Sequence, residues 1–156
     1  MGRCKRDGPQ QAIGRSRGRL TTKIHTIVDA LGNPLRFVLT GGQCHDAVTG
    51  YEMLGQMDLT KKQILADRAY TNRILRLLQK QAATSVIPGK KNRWKQRRWD
   101  KDLYKERHMI ECFSNKVKHR LATRYDKLAS TFMTFLTLAS IMIWLVWVCI
   151  HALALQ

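Results

Sequence analysis

The chain has 156 residues, with 28 Lys and Arg against 11 Asp and Glu, a net charge of +17 and a pI near 10.4. That length allows one domain of ordinary size, and a hydrophobic content of 44% with only three prolines excludes wholesale disorder. So basic a chain repels itself unless something anionic is near, which points to nucleic acid or an acidic membrane surface rather than to small acidic substrates alone.

The first eleven residues have no apolar run and do not read as a secretory signal. Cys4, Cys44, Cys112 and Cys149 are scattered, with no C-x-x-C and no zinc spacing, and read as free thiols of a reducing cytosol. From Leu20 to Ala30, the residues Leu20, Thr22, Ile24, Thr26 and Val28 alternate with Thr21, Lys23, His25 and Asp29, which predicts a half-buried strand. Gly32-Asn33-Pro34 punctuates, and Leu35, Phe37 and Leu39 alternate again, so the two runs predict an antiparallel hairpin. A short helix is expected over Ala47–Leu54. Next comes a buried strand, Ile64-Leu65-Ala66, with Asp67 exposed at its tip. A helix capped by Thr71 or Asn72 follows, with Ile74, Leu77 and Leu78 at i, i+3, i+4, and Ser85-Val86-Ile87 is a further strand stopped by Pro88-Gly89. The order strand, strand, helix, strand, helix, strand, helix predicts a mixed α/β sheet.

Basic residues crowd at Arg15, Arg17, Arg19 and Lys23, and again from Lys90 to Lys127, while Leu128 to Gln156 holds no Lys, Arg, Asp or Glu. Lys90 to Lys101 reads K-K-N-R-W-K-Q-R-R-W-D-K, with Trp94 and Trp99 among the charges. Such a segment can neutralise phosphates while indoles stack on bases or sugars; the plainer alternative is a solvated loop whose tryptophans fold onto the core. The residues expected to contact DNA are Arg15, Arg17, Lys23, Trp94, Arg97 and Arg98.

From Leu103 onward the pattern predicts one helix, with Met109, Ile110, Phe113 and Val117 on its apolar side. On that wheel Tyr104, Arg107, Glu111 and Lys118 form a narrow polar stripe. A carboxylate there could hold Mg²⁺ while Arg and Lys grip phosphates; a solvated face with an i, i+4 Arg–Glu pair is the plainer reading.

The spacing Y-x2-R-x3-E-x6-K over Tyr104, Arg107, Glu111 and Lys118 resembles the signature around the catalytic glutamate of DDE transposases of bacterial insertion sequences. Further motifs agree: G-R-S-R-G from Gly14, T-T-K-I-H from Thr21, D-A-L-G-N-P-L-R-F from Asp29, G-Q-C-H-D from Gly42, L-A-D-R-A-Y from Leu65 and A-T-R-Y-D-K from Ala122. Together they are similar to the transposase of insertion-sequence family five, from about Ala12 to Leu145. The corresponding division is a polar basic stub over 1–13, a partial DDE catalytic domain over 14–145, and an apolar tail over 146–156.

The resemblance implies a ribonuclease-H-like fold, a mixed sheet flanked by helices, in which three acids gather two Mg²⁺ ions for cleavage and transfer of DNA strands at transposon ends. Asp67 matches the second acid and Glu111 the third, both as metal ligands; Tyr104, Arg107 and Lys118 match supporting residues, Lys118 near the DNA. Ser16 lies in the wrong context for a nucleophile elbow. The first acid belongs on a central strand before G-R-S-R-G, where only polar residues and Asp7 stand. Neither Asp29 nor Asp46 matches it. The expectation is therefore a sheet split at its missing central strand, in a C-terminal fragment inactive alone. An upstream frame product joined by frameshifting would restore it; A-Y-T-N and Phe113-Ser114-Asn115 depart from the family pattern and favour a decayed copy. The expected partners are double-stranded DNA of transposon ends and target, that upstream product, and further copies of the chain. The expected place is the bacterial cytoplasm, at the nucleoid.

Residues 129–155 also satisfy the length and composition of a transmembrane helix, with Arg124 and Lys127 before it. A membrane-anchored basic protein is thus one rival; a DNA-binding regulator without chemistry is another. Ser130, Thr131, Thr134, Thr137 and Ser140 punctuate the segment and favour a helix packed on the sheet.

Overall fold

The computed structural model describes residues 11–16, 20–68, 72–89, 98–120 and 128–153, the side chains of 118–120 and 147–153 excepted. Two compact units make up the chain: Met1–Gln43 with Met109–Gln156, and Cys44–His108.

In the first unit, β2 (Leu20–Val28) and β3 (Pro34–Gly41) form the expected antiparallel hairpin, pairing Ile24 with Leu39 and Thr26 with Phe37. The connection is built by Asp29. Its Oδ1 accepts from Leu31 N (2.9 Å) and Asn33 N (2.8 Å), and its Oδ2 from Asn33 Nδ2 (3.3 Å). Asn33 is buried, and Gly32 supplies the left-handed φ of +81° that the turn needs. The D-A-L-G-N-P motif is therefore a turn with its own hydrogen-bond cradle.

A third strand, β1 (Gly14–Arg15), pairs antiparallel with β2 through Gly14–Thr21 and Arg15–Leu20. Two residues carry no alternation, so the sequence pattern did not reveal it. The local reason for Gly14 of G-R-S-R-G and Gly42 of G-G is close approach: a Cβ at Gly14 would overlap the Gln43 carboxamide, and one at Gly42 the Thr21 hydroxyl.

Helix α5 (Ala129–Leu153) covers this hairpin. Helix α4 spans His108–Arg120. Phe113 and Val117 of α4, with Leu136 and Ile143 of α5, make the core, joined by half-buried Val28, Phe37, Leu39, Ile110 and Met133. Phe37 and Phe113 stack at 5.8 Å. Polar residues in α5 stay satisfied by bonding back one turn: Thr137 Oγ1 to Met133 O (2.8 Å) and buried Ser140 Oγ to Leu136 O (2.7 Å). Trp144 Nε1 donates to Pro34 O at 3.1 Å and ties the helix to the hairpin.

In the second unit, α1 (Asp46–Gly55) packs on α2 (Asn72–Lys80), and α2 on β5 (Thr84–Val86), which runs parallel to β4 (Gln63–Leu65). Met53, Leu54, Leu59, Ile74, Leu78, Val86 and Ile87 form its buried core. His45 caps α1, its Nδ1 accepting from Ala47 N at 3.2 Å, and Asp46 sits in the first turn, where the helix dipole favours a carboxylate. Helix α2 ends in a Schellman arrangement: Ala83 N donates to Leu78 O (2.9 Å) and Ala82 N to Gln79 O (3.1 Å), with Ala82 left-handed at φ 53°.

The chain is thus mixed α/β, with a three-stranded antiparallel sheet β1-β2-β3 and a two-stranded parallel sheet β4-β5; among the described residues no strand pairing joins them. Three expectations need correction. Strand β4 is exposed at Gln63 and half-buried at Ile64 and Leu65 rather than buried. The helix expected from Leu103 onward is two helices, α3 (Lys101–Lys105) and α4, separated at Glu106 and Arg107. Glu106 N and Arg107 N bond to carbonyls three residues back (3.1 Å each), and His108 Nδ1 meets Lys105 O at 2.9 Å, so the end of α3 is capped locally. No glycine or proline marks that break. Finally, Cys112 is free and exposed, but Cys44 is disulfide-bonded. Pairing depends on proximity in the fold, which spacing does not show.

Candidate functional site

Asp67 lies two residues beyond β4, and its side chain is exposed. Its Oδ1 accepts the backbone N–H of Arg68 at 2.6 Å. The carboxyl ends of parallel strands are where α/β folds place their ligands, because side chains there leave the sheet toward open space. The other carboxylate, Glu111, is in the first turn of α4, also exposed. Phe113 and Val117 turn the apolar face of α4 into the core, which leaves Glu111 on the solvent side. Asp67 belongs to the second unit and Glu111 to the first.

The break between α3 and α4 removes the single stripe expected of Tyr104, Arg107, Glu111 and Lys118. Only Glu111 and Lys118 share a helix, seven residues apart; the Lys118 side chain is outside the described ones. Tyr104 and Arg107 belong instead to a cluster with Trp99. The Trp99 indole meets the Tyr104 ring edge-on at 5.0 Å, and the Arg107 guanidinium lies 5.7 Å from that ring's centre. Beside it opens a recess of about 650 Å³, lined by Arg98, Trp99, Lys101, Thr84, Ser85 and Gln63 among others. Arg98 and Lys101 are exposed cations, Trp99 offers an aromatic face, and the hydroxyls and the amide are hydrogen-bonding groups. Asp100 orders this edge, its Oδ1 accepting from Asp102 N (2.9 Å) and Leu103 N (3.0 Å) at the start of α3.

Sequence reasoning found Trp99 and Arg98 through the basic run but missed Gln63, Thr84 and Ser85. These residues reach the recess only because β4 and β5 pair in parallel with Gln63 opposite Thr84, a register no local pattern carries. Of the other basic candidates, Arg15 is exposed on β1 and Lys23 lies half-buried on β2, while Arg17, Trp94, Arg97 and A-T-R-Y-D-K lie outside the described residues.

A divalent cation needs several hard oxygen donors gathered around one point. Asp67 and Glu111 are hard oxygen donors of the right chemistry. Among the described residues, however, no three His, Cys, Asp or Glu side chains gather into a group able to hold a metal ion. The described donors therefore do not amount to a two-metal centre by themselves.

No solved structure matches the chain. Among proteins of known sequence, the "Putative transposase for insertion sequence element IS6501" of Brucella ovis is 40% identical over 130 residues, covering 81% of this chain and 99% of that relative. The family model for the transposase DDE domain matches residues 3–145. A match of that extent takes in most of the sequence, including the hairpin, the parallel pair, α4 and α5 as far as residue 145, and the chain belongs to the transposase DDE domain family.

Proposed function

We propose that the chain takes part in cutting and joining DNA strands at the ends of an insertion sequence of family five, with Asp67 and Glu111 as its two catalytic acids in a ribonuclease-H-like domain. The observation that carries the reading is Asp67, exposed just past the end of a strand in a parallel pair, within the stretch that matches the family. The basic recess beside Trp99 supports a DNA partner: Arg98 and Lys101 grip phosphates, and Trp99 stacks on a sugar or base. Lys118, Arg15, Arg17, Lys23, Trp94 and Arg97 are further DNA contacts in the proposal, each argued from its charge or aromatic ring, and Tyr104 and Arg107 are supporting residues in contact with each other.

Divalent ions such as Mg²⁺, when bound, would supply Lewis acidity at the scissile phosphate. Two carboxylates of this chain match the family's acids, and in this proposal the third acid is not its own, so the chain alone joins no DNA. A second polypeptide bearing a strand with a third acid would complete the reaction. The work of this chain's own residues is to bind the DNA and to present Asp67 and Glu111. The membrane-span reading is not carried forward: α5 passes the length and hydropathy test over Ala129–Val146, but it packs one side on its own hairpin and hydrogen-bonds to it through Trp144.

The test is a strand-joining assay on end-containing DNA with Mg²⁺, using the chain alone and with a polypeptide supplying the third acid. The chain alone is expected to bind DNA with a steep salt dependence and to join nothing. In the complemented reaction Asp67→Ala and Glu111→Ala abolish joining and leave binding intact. Joining by the chain alone overturns its incompleteness; full activity of Asp67→Ala overturns the site. The basic recess taken alone would also suit a DNA-binding regulator of transposition without chemistry. It predicts that no complementing polypeptide restores joining.

A further inference from the structure

The recess in the second unit carries groups that a DNA backbone alone does not need. Part of its lining is apolar: Val86 is buried, and Leu103 and the Trp99 indole are half-buried. The Tyr104 ring, edge-on at 5.0 Å, holds that indole in place. Two exposed cations, Arg98 and Lys101, stand beside an exposed carboxylate, Asp100. The carboxylate is the odd member, because next to a phosphodiester it adds only repulsion. Its Oδ1 is engaged by Asp102 N and Leu103 N, which fixes the side chain at the start of α3. Across from it Gln63 begins β4 in register with Thr84, and a carboxamide sets a donor beside an acceptor.

We infer that this recess is a binding site for a free adenosine phosphate, a small-molecule ligand distinct from the DNA. Each group then has a chemical match. The indole stacks on the purine, and Val86 and Leu103 keep water from the stacked ring. A base paired within a duplex keeps its faces against its neighbours, so the ring that meets Trp99 is an unpaired one. Gln63 suits the N6 and N7 edge of adenine, whereas guanine offers two acceptors there and leaves the carboxamide oxygen unmatched. Asp100 Oδ2 accepts a ribose hydroxyl, and DNA has none at the 2′ position. Arg98 and Lys101 take the terminal phosphate, whose charge of nearly two suits a pair of cations better than the single charge of a phosphodiester. The volume of about 650 Å³ falls within the roughly 300–1,000 Å³ of small-molecule sites. Gln63 is at the start of β4 and Asp67 lies beyond its end, so a nucleotide here stays off the matched acid. The inference adds a second ligand for the cations of the DNA reading, and the two stand or fall separately.

The test is equilibrium dialysis of the full chain against labelled AMP, at raised salt to suppress unspecific attraction of anions to a chain of +17. One AMP is expected per chain, held about tenfold or more tighter than GMP and than the 2′-deoxy form of AMP, with inorganic phosphate weaker still. Trp99→Ala lowers AMP affinity about tenfold or more. Gln63→Leu removes the preference over GMP. Asp100→Ser, which keeps a good helix cap, removes the preference over the 2′-deoxy form. Both positions are exposed, and unchanged affinity for the disfavoured nucleotide shows that each variant is folded. Equal binding of AMP, GMP and inorganic phosphate overturns the inference, since charge alone is then at work. So does a 2′-deoxy form bound as tightly as AMP, which makes the ligand a DNA nucleotide, or AMP binding that survives Trp99→Ala. If AMP does not bind while end-containing DNA does, the inference falls and the DNA reading stands. Selective AMP binding by a chain that binds no DNA supports the inference and removes the DNA reading.

Discussion

Replacing Leu136 by Ala tests how the first unit is held together. The side chain has no exposed surface and sits among Phe113, Val117 and Ile143. The substitution removes three carbon groups at about 0.8 kcal/mol each, roughly 2.4 kcal/mol of transfer free energy. Relaxation around the gap is limited, because α4, α5 and the hairpin all lean on this position, so a cavity cost brings the total to about 3–4 kcal/mol. Urea unfolding followed by far-ultraviolet dichroism, at one protein concentration, measures it. Thr137→Ala is the matched control: it lies one residue away, exposed, with its hydroxyl bonded back to Met133 O of the same helix, and it is expected to change stability by less than about 0.5 kcal/mol. If Leu136→Ala costs less than about 1 kcal/mol with an unchanged denaturant slope, α5 is not packed on the hairpin as described.

Asp29→Ala removes the acceptor of two backbone N–H groups and of the buried Asn33 amide, and is expected to cost about 1–3 kcal/mol in the same assay, against a smaller loss for Asp29→Asn. Ala82→Gly relieves a left-handed residue at the end of α2. It is expected to raise stability by about 0.5–1 kcal/mol, the strain relieved outweighing the added freedom of the unfolded chain, and a loss would contradict the Schellman geometry. The Asp58 carboxyl is held below its ordinary range by the Thr60 hydroxyl (2.7 Å) and the Thr60 N–H (3.0 Å), with help from Lys62. A lowered folded-state pKa means its contribution is complete above the ordinary carboxylate value and fades as pH falls through the lowered one. Thr60→Val should therefore move the Asp58 titration, followed by carbon-detected nuclear magnetic resonance, back up; an unmoved midpoint would refute the hydroxyl's part.

Period-two alternation in Leu20–Val28 and Leu35–Leu39, and the 3.6-residue spacing of Ile74 with Leu78 and of Phe113 with Val117, fix strands and helices because each reports which side of a local element meets the core. The placement of Asp67 past a strand and of Glu111 on a helix was legible from the same local pattern. Local pattern could not show the break at Glu106–Arg107, which depends on i to i−3 bonds and a histidine cap. Nor could it show β1, too short to have a period, or the recess that joins Ser85 to Arg98. The tertiary structure alone decided which of two equally apolar sides of α5 is covered. Composition makes that helix greasy all round, but only the hairpin, offering Phe37 and Leu39 to one side, selects Leu136 for burial and leaves Leu138 in water.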